Sequence, residues 1–390
     1  MNPQGFVIYT WKNYLKETAL YIHIPFCDHK CIYCDFYSII TSDNIGNFLS
    51  SIKKEIQYYS EIYSSDRQFT SIFFGGGTPS LMMPQYISEI LNELSKNYII
   101  TKDVEITLET NPGTVDKEKL KDFHNAGINR ISIGIQSFKE SDLKFLTRIH
   151  DRDTAIRTVN AAYDAGLQNI NIDLIFNLPG QSKQNWLDNL EQAVSLPVTH
   201  ISAYSLILER GTILNKMVID GKVKIQDEDH DADLYESTIE FMESKGFHQY
   251  EVSNFARNGF ECLHNKAYWR YRDYLSFGPS AHSFVNGKRW WNFSSLKKYI
   301  SEIESNGNAV SGHEKPDANQ QFEEYIMLAL RSNGIDKIEM SNLFGDEWLK
   351  TNRLKLNQLL QNNFLAEDDN YIKMTKYGYA VCDEIIKNFD

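Results

Sequence analysis

Three of the chain's five cysteines, Cys27, Cys31 and Cys34, crowd into the segment YIHIPFCDHKCIYCDFYS, residues 21–38. Clustered thiols in a chain that shows no secretory leader point to metal ligation, not to a disulfide framework. Zinc takes a closed set of four ligands, which His23 or His29 would have to complete. An iron–sulfur cluster ordinarily takes four cysteines. Three thiolates around a [4Fe–4S] cubane leave one iron open, and an open metal position lets a small molecule bind the metal directly. Two positions beyond Cys34, where a fourth thiol could extend the series, stands Phe36.

Such a loop needs elements to hold it. Short β-rich runs recur: ALYIHIPF (19–26), SIFFGGG (71–77), EITLETN (105–111), RISIGIQS (130–137), NINIDLIF (169–176) and HISAYSLIL (200–208). Helical patterns near 46–63, 84–96, 116–126, 152–165, 184–195 and 228–245 alternate with them, several ending in a C-terminal glycine. This rhythm predicts an α/β fold with a parallel sheet covered by helices. About six βα units suit a partial (β/α)6 TIM-like barrel over 19–225; a closed barrel needs two more, and a doubly wound open sheet is the alternative. Residues 226–310 read as a barrel-flanking segment. Residues 311–390 read as helices plus a hairpin around Asp368–Asp369–Asn370, a winged-helix-like α+β domain. Residues 1–18 form an N-terminal extension with no further reading.

In both α/β arrangements function gathers at the C-terminal ends of the strands. Those ends carry Cys27 to Cys34, Gly75–Pro79, Glu109, Asn111, Gln136, Asp173 and Tyr204. Taken singly, GGGTP is a glycine-rich turn, Arg148 a surface ion pair, and Glu109 and Asp173 capping carboxylates. Acidic side chains on apolar strands favour a ligand-facing role, because an unpartnered buried carboxylate is costly. The net charge of −12 excludes a nucleic-acid partner, which asks for a basic face. No run reaches the ~20 apolar residues of a spanning helix, so a cytoplasmic protein is expected.

With its loop after the first strand and aromatic Tyr33 before the last thiol, Cys27-x3-Cys31-x2-Cys34 resembles the radical S-adenosylmethionine (SAM) superfamily. That resemblance implies a [4Fe–4S] cluster on Cys27, Cys31 and Cys34, with SAM on the open iron. It implies SAM contacts from Gly76, Gly77 and Thr78, and from Tyr21, Tyr33, Glu109, Gln136, Arg148 and Asp173. The ordered segments FFGGGTPSL, ITLETNPGTV, NRISIGIQSF, NIDLIFNLPGQ, YEVSNFAR and HNKAYW are similar to HemW-type heme chaperones. These are relatives of oxygen-independent coproporphyrinogen III oxidase, the radical SAM decarboxylase of porphyrin biosynthesis. Phe36 departs from the oxidase pattern CxxxCxxCxC, the arm of 26 residues before Cys27 is shorter than in the oxidases, and HNKAYW matches the chaperones' HNxxYW signature.

The chaperone resemblance implies heme as a further cofactor, His264 as its ligand, and heme-accepting respiratory proteins as partners. A homodimer and peripheral membrane association accord with it. Neutral imidazole is a common axial ligand to heme iron; residues alone favour a core histidine among structural aromatics. His282 and Cys262 are secondary candidates, and Cys382 reads as core. Asn177 and Arg210 stand where the family pattern has glycine and proline, which puts local turn geometry in question.

Overall fold

The computed structural model describes residues 15–41 and 43–389, so residues 1–14 of the expected extension lie outside it. Six strands lie side by side in chain order and run parallel: β1 (Lys16–Ile24), β2 (Arg67–Gly76), β3 (Ile100–Thr110), β4 (Arg130–Gln136), β5 (Asn169–Phe176) and β6 (His200–Ser205). A doubly wound sheet reverses its strand order at a switch point. This one does not, so the partial-barrel expectation holds.

The sheet is wider than the sequence pattern suggested. The pair β7 (His248–Glu251) and β8 (Asn254–Ala256) adds antiparallel to β6. Beside β1 runs β9 (Tyr274–Phe277), followed by β10 (His282–Val285), β11 (Lys288–Asn292) and β12 (Val310–Glu314). The sheet's ends, β12 and β7, do not pair with each other, so the barrel stays open. The segment expected merely to flank the barrel therefore supplies strands to its sheet.

The crossover helices include α1 (Ile45–Tyr63), α2 (Pro84–Asn97), α3 (Lys117–Asn125), α4 (Glu140–Phe145), α5 (Arg152–Asp164), α6 (Lys183–Val194), α7 (Ile213–Ile219), α8 (Glu228–Ser244) and α9 (Leu263–Trp269). Asp116, Asp151, Ser182 and Asp227 cap α3, α5, α6 and α8 by accepting a first-turn amide, supplying a partner the helix itself lacks. Gly127, Gly166 and Gly246 take positive φ just past their helices, where glycine carries no Cβ penalty. Asn177 adopts φ 61°, a left-handed conformation that asparagine tolerates better than most residues, so the departure from glycine keeps the turn.

Side chains alternate across each strand, and here the alternation separates two environments. Ile131, Ile133 and Ile135 of β4, Ile170, Ile172 and Leu174 of β5, and Ile201 and Ala203 of β6 pack in the main core. The intervening Arg130, Ser132 and Gln136, Asn171 and Asp173, and Ser202 and Tyr204 line a cavity in the lumen. On β4 to β6 the core face is apolar and the lumen face mostly polar, and the lumen is partly hollow.

A second apolar core, including Leu330, Met340, Leu356, Ile372 and Cys382, organises the C-terminal unit. There β13 (Ile335–Asp336), β14 (Leu365–Glu367) and β15 (Tyr371–Met374) form a three-stranded antiparallel sheet amid short helices, as a winged-helix-like domain requires. Two of these helices, Glu347–Thr351 and Arg353–Gln361, are separated by Asn352 alone.

Candidate functional site

The cysteine loop leaves β1 and is closed at its neck. The Cys27 amide donates to the Ile39 carbonyl at 3.0 Å, and the Ile39 amide to that of Pro25 at 2.8 Å. Its far side is pinned twice, by the Ile32 amide on Thr147 Oγ1 (3.2 Å) and by the Leu214 amide on the Ile32 carbonyl (2.9 Å). The three free thiols line one cavity of about 160 Å³ with Tyr33, Phe36, Gly76, Gly77, Thr78, Glu109, Gln136, Arg148 and Asp173. Of the residues expected at the cluster or SAM, this cavity brings together all but Tyr21.

The donor set fits a cubane better than zinc. Among the described residues no three His, Cys, Asp or Glu side chains converge on one metal position, as a closed zinc site demands. His23 is already committed: its Nε2 is 2.9 Å from the Tyr37 carbonyl and its Nδ1 3.2 Å from the Tyr21 hydroxyl. A cubane binds each thiolate at a different iron, so its sulfurs ring a space. Arg148 extends Nη1 to within 3.5 Å of Cys31 Sγ, a placement suited to offsetting thiolate charge. Its Nη2 donates to Asn111 Oδ1 and the Gly134 carbonyl, both at 2.6 Å, which fixes the guanidinium, while its buried Nε has no partner.

The glycines opposite are there for closeness. A Cβ on Gly77 would lie 2.5 Å from the Phe26 carbonyl oxygen. Gly76, at φ 111°, would drive one to 2.6 Å from the His23 ring. Thr78 Oγ1 approaches Cys27 Sγ at 3.3 Å and accepts from Asn111 Nδ2 at 2.9 Å. Gln136 is held at φ 71°, a conformation sparsely populated by residues other than glycine and one that concentrates at ligand sites.

Glu109 and Asp173 stand on β3 and β5. Burial, then the Asp173 charge, push the Glu109 carboxyl up to about 8, although its Oε2 accepts the Gly76 amide at 3.2 Å. Burial also raises Asp173, against hydrogen bonds from Asn171 (2.8 Å) and Ser132 (3.2 Å). Burial raises the Cys34 thiol as well, and the Tyr33 hydroxyl strongly. With its pKa at about 8, Glu109 is set to release a proton when a cation arrives in the cavity.

A larger cavity of about 410 Å³ continues into the lumen and shares Tyr33, Phe36, Glu109, Ser132, Gln136 and Asp173 with the first. Sequence reasoning passed over several of its residues: Arg130, Ser132, Asn171, Ser202 and Asn265. For the strand residues the signal was a polar side chain recurring at alternate positions of β4, β5 and β6, broken at Gly134 and Ile175.

Two expected ligand residues lie elsewhere. Tyr21 lines neither cavity; its ring stacks on Phe73 and His264, with centroids 6.2 Å away in both cases. His264, in α9, is 2 % exposed and lies against neither cavity. Its Nδ1 is hydrogen-bonded to Ser71 Oγ and its Nε2 to the Tyr268 hydroxyl, both at 3.1 Å, and its ring stacks on Phe73 at 4.9 Å. Burial, then Arg130, lower its pKa to about 3, so it is neutral. In this conformation both ring nitrogens are taken, and iron ligation would require one of these bonds to open. The next motif residue, Asn265, is the one that reaches the lumen cavity. Cys262 is fully buried with its thiol on Glu105, and burial raises it to about 12. His282 is exposed and stacks on Trp291.

An open parallel barrel with three thiols on the loop after its first strand is the arrangement of a radical SAM protein, and residues 21–193 match the Radical SAM superfamily model. Along nearly the whole chain, the heme chaperone HemW of Haemophilus influenzae is 35% identical over 96% of this chain and 98% of its own. HemW of Bacillus subtilis is 31% identical over 95% and 98%. Radical S-adenosyl methionine domain-containing protein 1, mitochondrial, of Danio rerio is 36% identical over 95% and 86%. The chain belongs to the HemW family of the radical SAM superfamily. Its structure superposes on coproporphyrinogen III oxidase (HemN) from Escherichia coli with a TM-score of 0.81, covering 97% of this chain and 91% of that one. At 24% identity that likeness speaks to the fold alone. Membership in the superfamily implies a [4Fe–4S] cluster and SAM.

Proposed function

We propose that this protein is a heme chaperone that binds a [4Fe–4S] cluster, SAM and heme, and delivers heme to respiratory hemoproteins. Phe36 carries the reading. It stands where the oxidase pattern has its fourth cysteine, lines both cavities and is 63 % exposed. The family's heme chaperones support the same reading.

In it, Cys27, Cys31 and Cys34 hold the cluster and Arg148 offsets thiolate charge. The backbone at Gly76, Gly77 and Thr78 admits the methionine end of SAM, and Glu109, Gln136 and Asp173 face the rest of it. When bound and reduced, such a cluster supplies the electron that can cleave SAM. Heme ligation by His264 belongs to this proposal and requires α9 to release the Ser71 or Tyr268 bond. A homodimer and peripheral membrane contact belong to it as well. Ile40, Ile149 and Ile207 support both, being large apolar side chains exposed on the cluster loop, beside Arg148 and beyond β6. No described helix is long and apolar enough to cross a membrane.

The test is anaerobic reconstitution, hemin titration, and transfer of bound heme to an apo-hemoprotein, beside a coproporphyrinogen III assay. The expected result is heme binding and transfer with no protoporphyrinogen formed. Multiple-turnover protoporphyrinogen formation would replace this reading with the oxidase.

A further inference from the structure

Arg130 is the unusual residue of the lumen. It sits on β4, 2 % exposed, and lines the 410 Å³ cavity. Its Nε is buried with no hydrogen-bond partner, and the nearest carboxylate, Glu105 Oε2, is 3.9 Å away. Removing a guanidinium from water without hydrogen bonds is costly, and a distant counter-charge recovers part of that cost only. Glu105 is moreover engaged elsewhere: its Oε1 accepts the His264 amide at 3.2 Å and the Cys262 thiol at 3.4 Å. Among the residues lining this cavity Arg130 is the one cation, and its planar fork matches a carboxylate. Phe73 and Ile175, with the exposed Phe36 and Ile207, add apolar surface to the otherwise polar lining of this cavity.

We infer that Arg130 is the carboxylate anchor of a second ligand in the lumen, a flat apolar body bearing carboxylate arms. This deepens the heme reading and rests on it: the arm is a porphyrin propionate, and the macrocycle lies against the exposed apolar side chains of Phe36 and Ile207. The lumen then contributes to holding heme in addition to the iron ligand. Glu109 and Asp173 in the same wall offer no cation, which leaves Arg130 as the place where a carboxylate can be received.

The test compares hemin with its propionate dimethyl ester, titrated by Soret absorbance into cluster-loaded protein. A charge-assisted hydrogen-bonded pair corresponds to roughly a 10- to 100-fold preference for the acid, and the wild type is expected to show it. Arg130→Gln closes the gap between acid and ester, and Arg130→Lys restores part of it. Equal affinity of the wild type for acid and ester overturns the inference, and that comparison needs no variant to fold. Arg130→Gln that keeps its cluster absorbance and the full preference also overturns it, leaving Arg130 a structural partner of Glu105. A wild type that binds neither porphyrin removes the heme reading itself, and this inference with it.

Discussion

The Glu109 carboxyl offers a quantitative test of the site's electrostatics. Its pKa is about 8 in the folded protein against an ordinary glutamate value of 4.5, because burial and the Asp173 charge both disfavour ionisation. A raised carboxyl contributes stability that is fully present below the unfolded value and is lost as pH rises through the folded one. Each pH unit between those values is worth about 1.4 kcal/mol. From pH 5 to pH 7.5 the Glu109 contribution to stability therefore falls by about 3 kcal/mol. Glu55 and Glu251, each raised to about 7 by burial, give the wild-type slope the same sign. The informative quantity is thus the difference between wild type and Glu109→Gln, whose amide is neutral throughout and can still accept the Gly76 amide. Urea unfolding at pH 5, 6 and 7.5, followed by tryptophan fluorescence, reads it; Trp186 is fully buried in the main core. The two proteins should be of similar stability at pH 5, with the variant ahead by about 3 kcal/mol at pH 7.5. Parallel pH profiles would refute the argument, since Glu109 would then be ionised at neutral pH at no cost. By the same linkage, SAM binding at pH 7 should release protons, seen as a buffer-dependent enthalpy that Glu109→Gln diminishes.

Gly77→Ala places a Cβ 2.5 Å from a backbone oxygen that already accepts the Thr78 amide at 2.7 Å. Overpacking of this kind costs about 1–3 kcal/mol, and anaerobic reconstitution should return less iron and sulfide per chain. Arg148→Met removes the guanidinium beside Cys31 and its bonds to Asn111 and Gly134. Its cluster should bleach faster than wild type in air at equal temperature; an unchanged rate would mean that Arg148 does not support the cluster. His264→Ala abolishes the bonds to Ser71 and Tyr268 and the stacking on Phe73, at about 3 kcal/mol. If the folded variant binds hemin with unchanged affinity and spectrum, His264 is a core residue and not a heme ligand.

Much of the fold could be read because parallel βα units leave a local record: an apolar run, a capped amphipathic helix, a glycine. The cysteine spacing and the GGG turn are likewise local. What escaped was short or long-range. Strands β7 to β12 are three to five residues each, too short for an alternation to stand out, and their places are set by pairing partners far along the chain. The polar lumen residues were visible as Arg130-x-Ser132 and Asn171-x-Asp173, yet the intervening isoleucines made each run read as uniformly apolar. His264 pairs with Ser71, 193 residues away. No local pattern reveals that both of its ring nitrogens are occupied, although the aromatic-rich segment alone already favoured a core histidine.

The two cavities meet at a wall that contains Phe36, and the chemistry of that wall bears on what the protein does with its ligands. Thiols can exchange protons and, at a reduced cluster, electrons; a phenyl ring can do neither at physiological potentials. With Phe36 in place, the titratable groups shared by both cavities are Tyr33, Glu109 and Asp173. Burial drives the tyrosine hydroxyl far above neutrality, which leaves Glu109, at about 8, as the proton carrier at the junction, with the Asp173 carboxyl beside it. Such a wall can sense charge in either cavity, because a cation on one side ionises groups that the other side also faces. Phe36 offers neither a thiol nor an exchangeable proton there, which leaves Tyr33 as the redox-capable side chain common to both cavities. That combination suits a site in which SAM occupancy tunes how tightly a carboxylate-bearing ligand is held.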